Sequence, residues 1–438
     1  MATQGPSSSS AILQRYERLH PKSKLLATQA LNLFPEGVTH AARKYGPFPV
    51  YMDHGQGPRK WDVDGNEYID FRTGHGSMIL GQAHPAIVKA VRDQVAKGTH
   101  LSSGTEHEIR WASAVKRLVA TVEKMRFVSS GTEANMMAFR IARRFTGKEK
   151  IVKFKGAFHG WSDDEFVTGP ETDRRYGIPR GTSESMALVE PHDLGALDRA
   201  LASSRDIAAV ILQGDEVHRP EYVKGVEQLC RKHGVLFMMD EVVSGFRWSR
   251  SGAQGMFGVK PDVSTFGKIL AGGLPGGAVS GRADVLDMIG GHGVDHPGTF
   301  NANPLSAAAG STALEIIEKE PVGEKAELAA KRLKEGINRQ LGNLEIPGGA
   351  YGLSSIVQMS IGLDVDSSDP YATPQETAGK EQAGQAVLDL LHLAMINEGL
   401  WAWPTWLLLS STHTEKDVDT AVERFGTALR AVRNEGLI

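Results

Sequence analysis

Four short stretches of this chain carry residue types that could do chemistry together. In "STFGKILAGGLPGGAVSG", residues 264–281, Lys268 lies between small apolar runs and is followed by a glycine-rich bend. A free lysine has a pKa of about 10.4 and is a poor nucleophile at neutral pH. Set against apolar neighbours and a cationic ring it loses its proton more easily and can form a Schiff base. The glycines would let the backbone pass close to a planar group. In "FMMDEVVSGFR", Asp240 ends a run of buried type, the edge where ligands of open α/β sheets bind. In "SSGTEA", 129–134, an apolar strand runs into a helix through Ser130, Gly131 and Thr132. Free N–H groups and the positive end of the helix dipole suit a phosphate there. In "KGAFHG", 155–160, Phe158 offers a flat face and His159 a polar neighbour.

Each stretch alone has an ordinary reading: a Ser/Thr N-cap, a paired carboxylate, a snorkelling surface lysine, a core phenylalanine with a capping histidine. Together they match the needs of pyridoxal 5′-phosphate. Its phosphate needs an anion site, its ring an apolar sandwich, its pyridine nitrogen a carboxylate and its aldehyde a lysine. A plain nucleotide-binding α/β module is the competing reading, but G-x-G-x-x-G and a P-loop lysine are both missing.

These residues must be held by a large scaffold. The chain has 438 residues, 41% hydrophobic and 23% charged, so two or more domains with a sizeable core are expected. A net charge of −3 suggests neither a nucleic-acid nor a membrane partner. The single cysteine, Cys230, excludes an internal disulfide and fits a reducing, cytoplasmic setting. No apolar run reaches membrane-spanning length, and no metal is expected. The start, "MATQGPSSSS", reads as a disordered tail.

Residues 11–34 have an amphipathic, helical pattern, and "FPVYMDHGQGPRKWDVDGNEYIDF" has hairpin chemistry. From about residue 80 helices alternate with short apolar runs: "KMRFVSS", "KIVKF", "IAAVILQ", "VLFMMDEV", "VSTFGK" and "GAVSG". Such runs suit strands buried on both faces of a mostly parallel sheet between helices. Residues 301–319 and 323–341 look helical, and Thr414 with Asp417 opens a last amphipathic helix by a capping box. The expected fold class is α/β. A large domain at 80–315 is expected, with a smaller α+β domain made from 1–79 and 316–438.

From about residue 35 onward the chain resembles the class III aminotransferases of fold type I. Within them it is most similar to glutamate-1-semialdehyde 2,1-aminomutase and the β-amino-acid and amine transaminases. The resemblance is carried in order by "MILGQAHPAI", "SGTEANMMAFRIARRFTGKEKIVKFKGAFHG", "DEVVSGFR", "STFGKILAGGLPGGAVSGR", "GTFNANPLSAAAG" and "SSTHTEKDVD". It implies a Schiff-base lysine at Lys268 and a pyridine-nitrogen partner at Asp240. It implies ring contacts from Val242 and from Phe158, where many members have tyrosine, and a phosphate cup of Ser130, Gly131 and Thr132. Thr299, in "GTFNANP", matches a threonine reaching the phosphate across a homodimer interface. Arg43, in "GVTHAARKY", matches an arginine that receives a substrate carboxylate.

Two departures stand out. Many relatives have Glu-Pro where this chain has Gln213-Gly214, and that glutamate often pairs with a C-terminal arginine. Here "GLWAWPTWLLLSSTHT" has no arginine and three tryptophans, Trp401, Trp403 and Trp406. They are either small-domain core or, in the case of Trp403, the lining of an apolar substrate pocket. His159 and Gln213 are counted with the cofactor-binding residues. The implied activity is ping-pong transfer of an amino group to a keto acid, from an amine or β-amino acid with a hydrophobic group. The aminomutase reaction, a decarboxylation on the same fold and a non-catalytic cofactor carrier are the alternatives.

Overall fold

The structure is a computed structural model that describes residues 10–291, 293–374 and 382–438. All of the "MATQGPSSSS" tail except Ser10 lies outside the described residues. The chain divides into two compact units. One holds the stretch up to His75, Ile79–His84 and Glu324–Ile438; the other holds Gly76–Met78 and Pro85–Gly323.

The second unit is built on seven strands: β1 (Lys124–Val128), β2 (Lys150–Phe154), β3 (Met186–Val189), β4 (Ile207–Gln213), β5 (Leu236–Glu241), β6 (Val263–Phe266) and β7 (Gly277–Gly281). Their order across the sheet is β1-β7-β6-β5-β4-β2-β3. The run from β3 to β6 is parallel, and β7 lies antiparallel between β6 and β1. Every residue of β5 is buried, and all but the last of β4, which explains their nearly unbroken apolar sequence. The parallel register sets Gln213 beside Asp240 and Asp240 beside Thr265, so three neighbouring strands end together.

The helix Gly131–Thr146 covers this sheet. Its face of Met137, Ala138 and Ile141 packs with Ile151, Ala209, Met238 and Val279 in one buried cluster. Ser130 caps it by accepting the Glu133 N–H at 3.1 Å, and Gly147 ends it at φ 68°.

The first unit gathers both chain ends. Strands Met52–Gln56, Arg59–Asp62 and Glu67–Asp70 form an antiparallel meander, extended by Leu400–Trp401 parallel to the last. A second sheet holds Gly348–Tyr351, Ile356–Ile361 and Trp406–Leu408. The 11–34 region forms two helices, Ala11–Leu19 and Pro21–Ala30, because Pro21 is well placed only in a first helical turn. Ser10 donates to Glu435 at 2.8 Å, and Thr414 and Asp417 close the capping box of the last helix. Among the described residues, no helix is long and apolar enough to cross a membrane.

Candidate active site

Asp240 is buried at the end of β5 and its carboxylate accepts three N–H groups. His159 Nδ1 and the Asn135 side-chain amide reach Oδ2 at 2.8 and 2.9 Å, and the Val242 N–H reaches Oδ1 at 3.0 Å. Asn135 is itself locked: it donates to the His159 carbonyl at 2.6 Å and accepts the Thr265 hydroxyl at 2.6 Å. The carboxylate is thus held in one orientation by groups from three elements. His159 Nε2 is buried with no hydrogen-bond partner among the described residues.

Lys268 follows β6 through Gly267 and opens the short turn Lys268–Ala271. Its φ of 47° lies in the left-handed region, which costs a non-glycine residue roughly 1–2 kcal/mol. Its Nζ makes no hydrogen bond among the described residues. Burial pushes the ammonium pKa below its ordinary value, against the stabilising charges of Asp215 and Asp240; Arg247 adds to the lowering. Asp215, two residues past β4, is pushed up by burial and drawn back down by Lys268. The sign of this coupling is testable. Removing an anion destabilises a nearby ammonium, so Asp215→Asn should lower the Lys268 pKa further. The rate at which the apoprotein takes up pyridoxal phosphate should therefore rise at a lower pH in the variant than in the parent chain. A shift to higher pH would contradict the coupling.

Between these groups the backbone runs close. A Cβ on Gly131 would stand 2.7 and 2.8 Å from the two methyls of Val242. Gly131 thus lets the start of the helix meet Val242. The Gly131 and Thr132 N–H groups, in the first helical turn, have no acceptor among the described residues, the setting in which an anion binds. Gly131→Ala should cost about 1–3 kcal/mol by overpacking and weaken cofactor retention. Denaturant unfolding and dialysis against cofactor-free buffer measure both, and unchanged values would refute the close approach. Gln213 ties the next strand in: its Oε1 accepts the Phe158 N–H at 2.8 Å and its Nε2 donates to Asp215 at 3.1 Å. The Phe158 ring is 61% exposed, a flat apolar face without a covering side chain.

Residues 40–349 match the family model "Aminotransferase class-III". The chain belongs to the class-III aminotransferases. It is 35% identical over 432 residues to glutamate-1-semialdehyde 2,1-aminomutase of Syntrophobacter fumaroxidans, covering 94% of this chain and 98% of that one. Its fold is that of an omega-transaminase from Sphaerobacter thermophilus, with TM-score 0.84, 29% identity and coverage of 98% and 99%. A transaminase with PLP bound superposes with TM-score 0.85 at 28% identity, covering 95% and 99%. The fold is therefore that of the fold type I PLP-transferases.

Ser130, Gly131, Thr132, His159, Gln213, Asp240, Val242 and Lys268 all lie in the second unit, around the ends of β1, β2, β4, β5 and β6. Thr299 is in the same unit, exposed, and its carbonyl bonds His100 at 2.8 Å. Arg43 and Trp403 belong to the first unit. Arg43 is exposed in a short turn and donates to Thr39 at 2.9 Å. Trp403 covers a buried cation: the Arg72 guanidinium lies 4.1 Å from its ring and 4.7 Å from that of Trp401. Burial lowers the Arg72 pKa to about 10. A pocket within this unit is lined by Arg43, Lys60 and Arg72 together with Tyr45, Val50 and Trp401.

Sequence reasoning missed Asn135, Thr265, Asp215 and Arg72. Asn135 left a signal, a polar residue on the otherwise apolar face of Ala134, Met137, Ala138 and Ile141. Asp215 left another, an acid two residues past a strand that is apolar up to Gln213. Arg72 left none.

Proposed function

We propose that this class-III aminotransferase takes an amino group from an amine or β-amino acid with a hydrophobic group and passes it to a keto acid. The cofactor is pyridoxal 5′-phosphate, and the residues present fit it. Free amides at a helix start suit the phosphate, a locked carboxylate suits the pyridine nitrogen, and an unbonded lysine of lowered pKa suits the aldehyde. That unbonded Nζ, within the field of Asp240, is the observation that carries the reading. When bound, the cofactor supplies an aldehyde that condenses with amines and a ring that takes up the electron pair left by a departing proton.

Lys268 would hold the aldehyde, and its amine is the group that would move the proton at the amine-bearing carbon. Asp240 holds the proton on the ring nitrogen, and its own orientation is kept by His159, Asn135 and Val242. Ser130, Gly131 and Thr132 take the phosphate. Val242 and Phe158 would hold the ring between them, and Gln213 steadies the backbone of Phe158. The protein is a homodimer in this reading, with Thr299 offered to the partner's phosphate; its exposure and that of Phe300 support this. Arg43 receives a carboxylate, and Trp403 favours a hydrophobic substrate group.

The second reading is the aminomutase itself, favoured by the 35% identity over almost the whole chain. A half-reaction screen, following loss of the cofactor's visible colour, separates them when paired with an assay for 5-aminolevulinate. Bleaching by β-phenylalanine without 5-aminolevulinate formation is expected. Comparable rates with β-phenylalanine and glutamate-1-semialdehyde would overturn the ranking.

A further inference from the structure

We propose that His192, Glu216 and His218 form a binding site for one divalent transition-metal ion, of which zinc is the probe. The three side chains come from the loop after β3 and the turn after β4, and none has a role in the chemistry above. Each offers one ligand atom, and these atoms lie within 4.8 Å of one another. A zinc ion with bonds of about 2.1 Å needs donors roughly 3.4 Å apart, a gap that side-chain rotation of the exposed His192 and half-exposed Glu216 can close.

The state of His218 favours metal over a proton. Its Nε2 faces the Gln213 carbonyl at 3.0 Å, with a Glu216 carboxylate oxygen 3.7 Å away. A carbonyl only accepts, so Nε2 carries the hydrogen and Nδ1 keeps its lone pair. That Nδ1 is buried and has no hydrogen-bond partner among the described residues. An imidazole whose second nitrogen donates to a backbone carbonyl is the arrangement in which histidines ligate metals.

Aromatic rings lie close to the site. His192 and His218 lie 5.2 Å apart, and Tyr222 packs 4.9 and 5.5 Å from them. Two nitrogens and one carboxylate oxygen suit zinc and its neighbours rather than magnesium or calcium, and leave a fourth tetrahedral position for water. The ion would clip the loop after β3 to the segment that carries Gln213 and Asp215.

The test is equilibrium dialysis of the tag-free holoenzyme against micromolar zinc, with metal analysis and thermal unfolding on the same samples. The expected result is one zinc per chain and a raised unfolding temperature. His192→Asn keeps a residue that tolerates the φ of 61° found there, and Glu216→Gln keeps size. Each should weaken zinc binding at least tenfold and leave the metal-free unfolding temperature unchanged. No zinc bound by the parent chain, or equal binding by both variants, would overturn the proposal. Neither outcome bears on the roles of Lys268 and Asp240.

Discussion

Lys268→Ala is expected to lower turnover by about 10⁴-fold or more, because in the proposed mechanism one side chain supplies both the covalent hold on the cofactor and the proton transfer. The fold should survive. Nζ makes no hydrogen bond to lose, and alanine tolerates the left-handed φ no worse than lysine does. The variant should therefore unfold within about 1 kcal/mol of the parent chain while losing the visible band of the lysine-bound cofactor. It should still take up the cofactor from solution, held by the helix start and by Asp240 alone. Parallel measurements of the absorption spectrum, thermal unfolding and single-turnover amine consumption check this. Retained turnover in a folded variant would remove Lys268 from the chemistry.

The second large effect is at Asp240. Asp240→Asn keeps the shape and removes the charge proposed to hold a proton on the ring nitrogen, and the expected loss in turnover is about 10²–10³-fold. There is also a structural cost. The present carboxylate accepts from His159, Asn135 and Val242, all of them donors. Asparagine has one acceptor oxygen, so its amide must face one of those N–H groups, at a cost of about 1–3 kcal/mol. Lower turnover and moderately lower stability should therefore appear together, with the bound lysine–cofactor colour retained. Asn135→Ala separates the two. It removes one donor and the lock to Thr265 while leaving the charge, so stability should fall with a much smaller loss of rate. An Asp240→Asn chain of full activity would contradict the assignment.

Much of this site could be read before the structure. β4 and β5 announce themselves as unbroken apolar runs because both their faces are covered, and Asp240 stands out as the first acid to interrupt one. The helix after Ser130 shows its cap, its apolar face and its terminal Gly147 in plain order. Other features depend on pairing between distant segments. "GAVSG" has the same pattern whether it runs parallel or antiparallel, so the reversed direction of β7 needed its partners to be seen. The left-handed φ of Lys268 is hidden because lysine is not a residue that signals it. Asn135 and Thr265 lie 130 positions apart and acquire meaning only through their mutual hydrogen bond. The same holds for His192 and His218, which belong to different strand ends, and for Arg72, whose aromatic cover comes from the far end of the chain.

The central claim is that the ε-amine of Lys268 and no other holds the cofactor's aldehyde. The competitor is Lys153, which is buried, with its pKa lowered to about 8 by burial and its Nζ donated to the Glu165 carbonyl at 2.6 Å. Borohydride reduction of the freshly purified holoenzyme, followed by peptide mass spectrometry, decides between them. The cofactor's added mass should appear on the peptide containing Lys268 alone; its appearance on Lys153, or on no lysine of the coloured protein, would contradict the account.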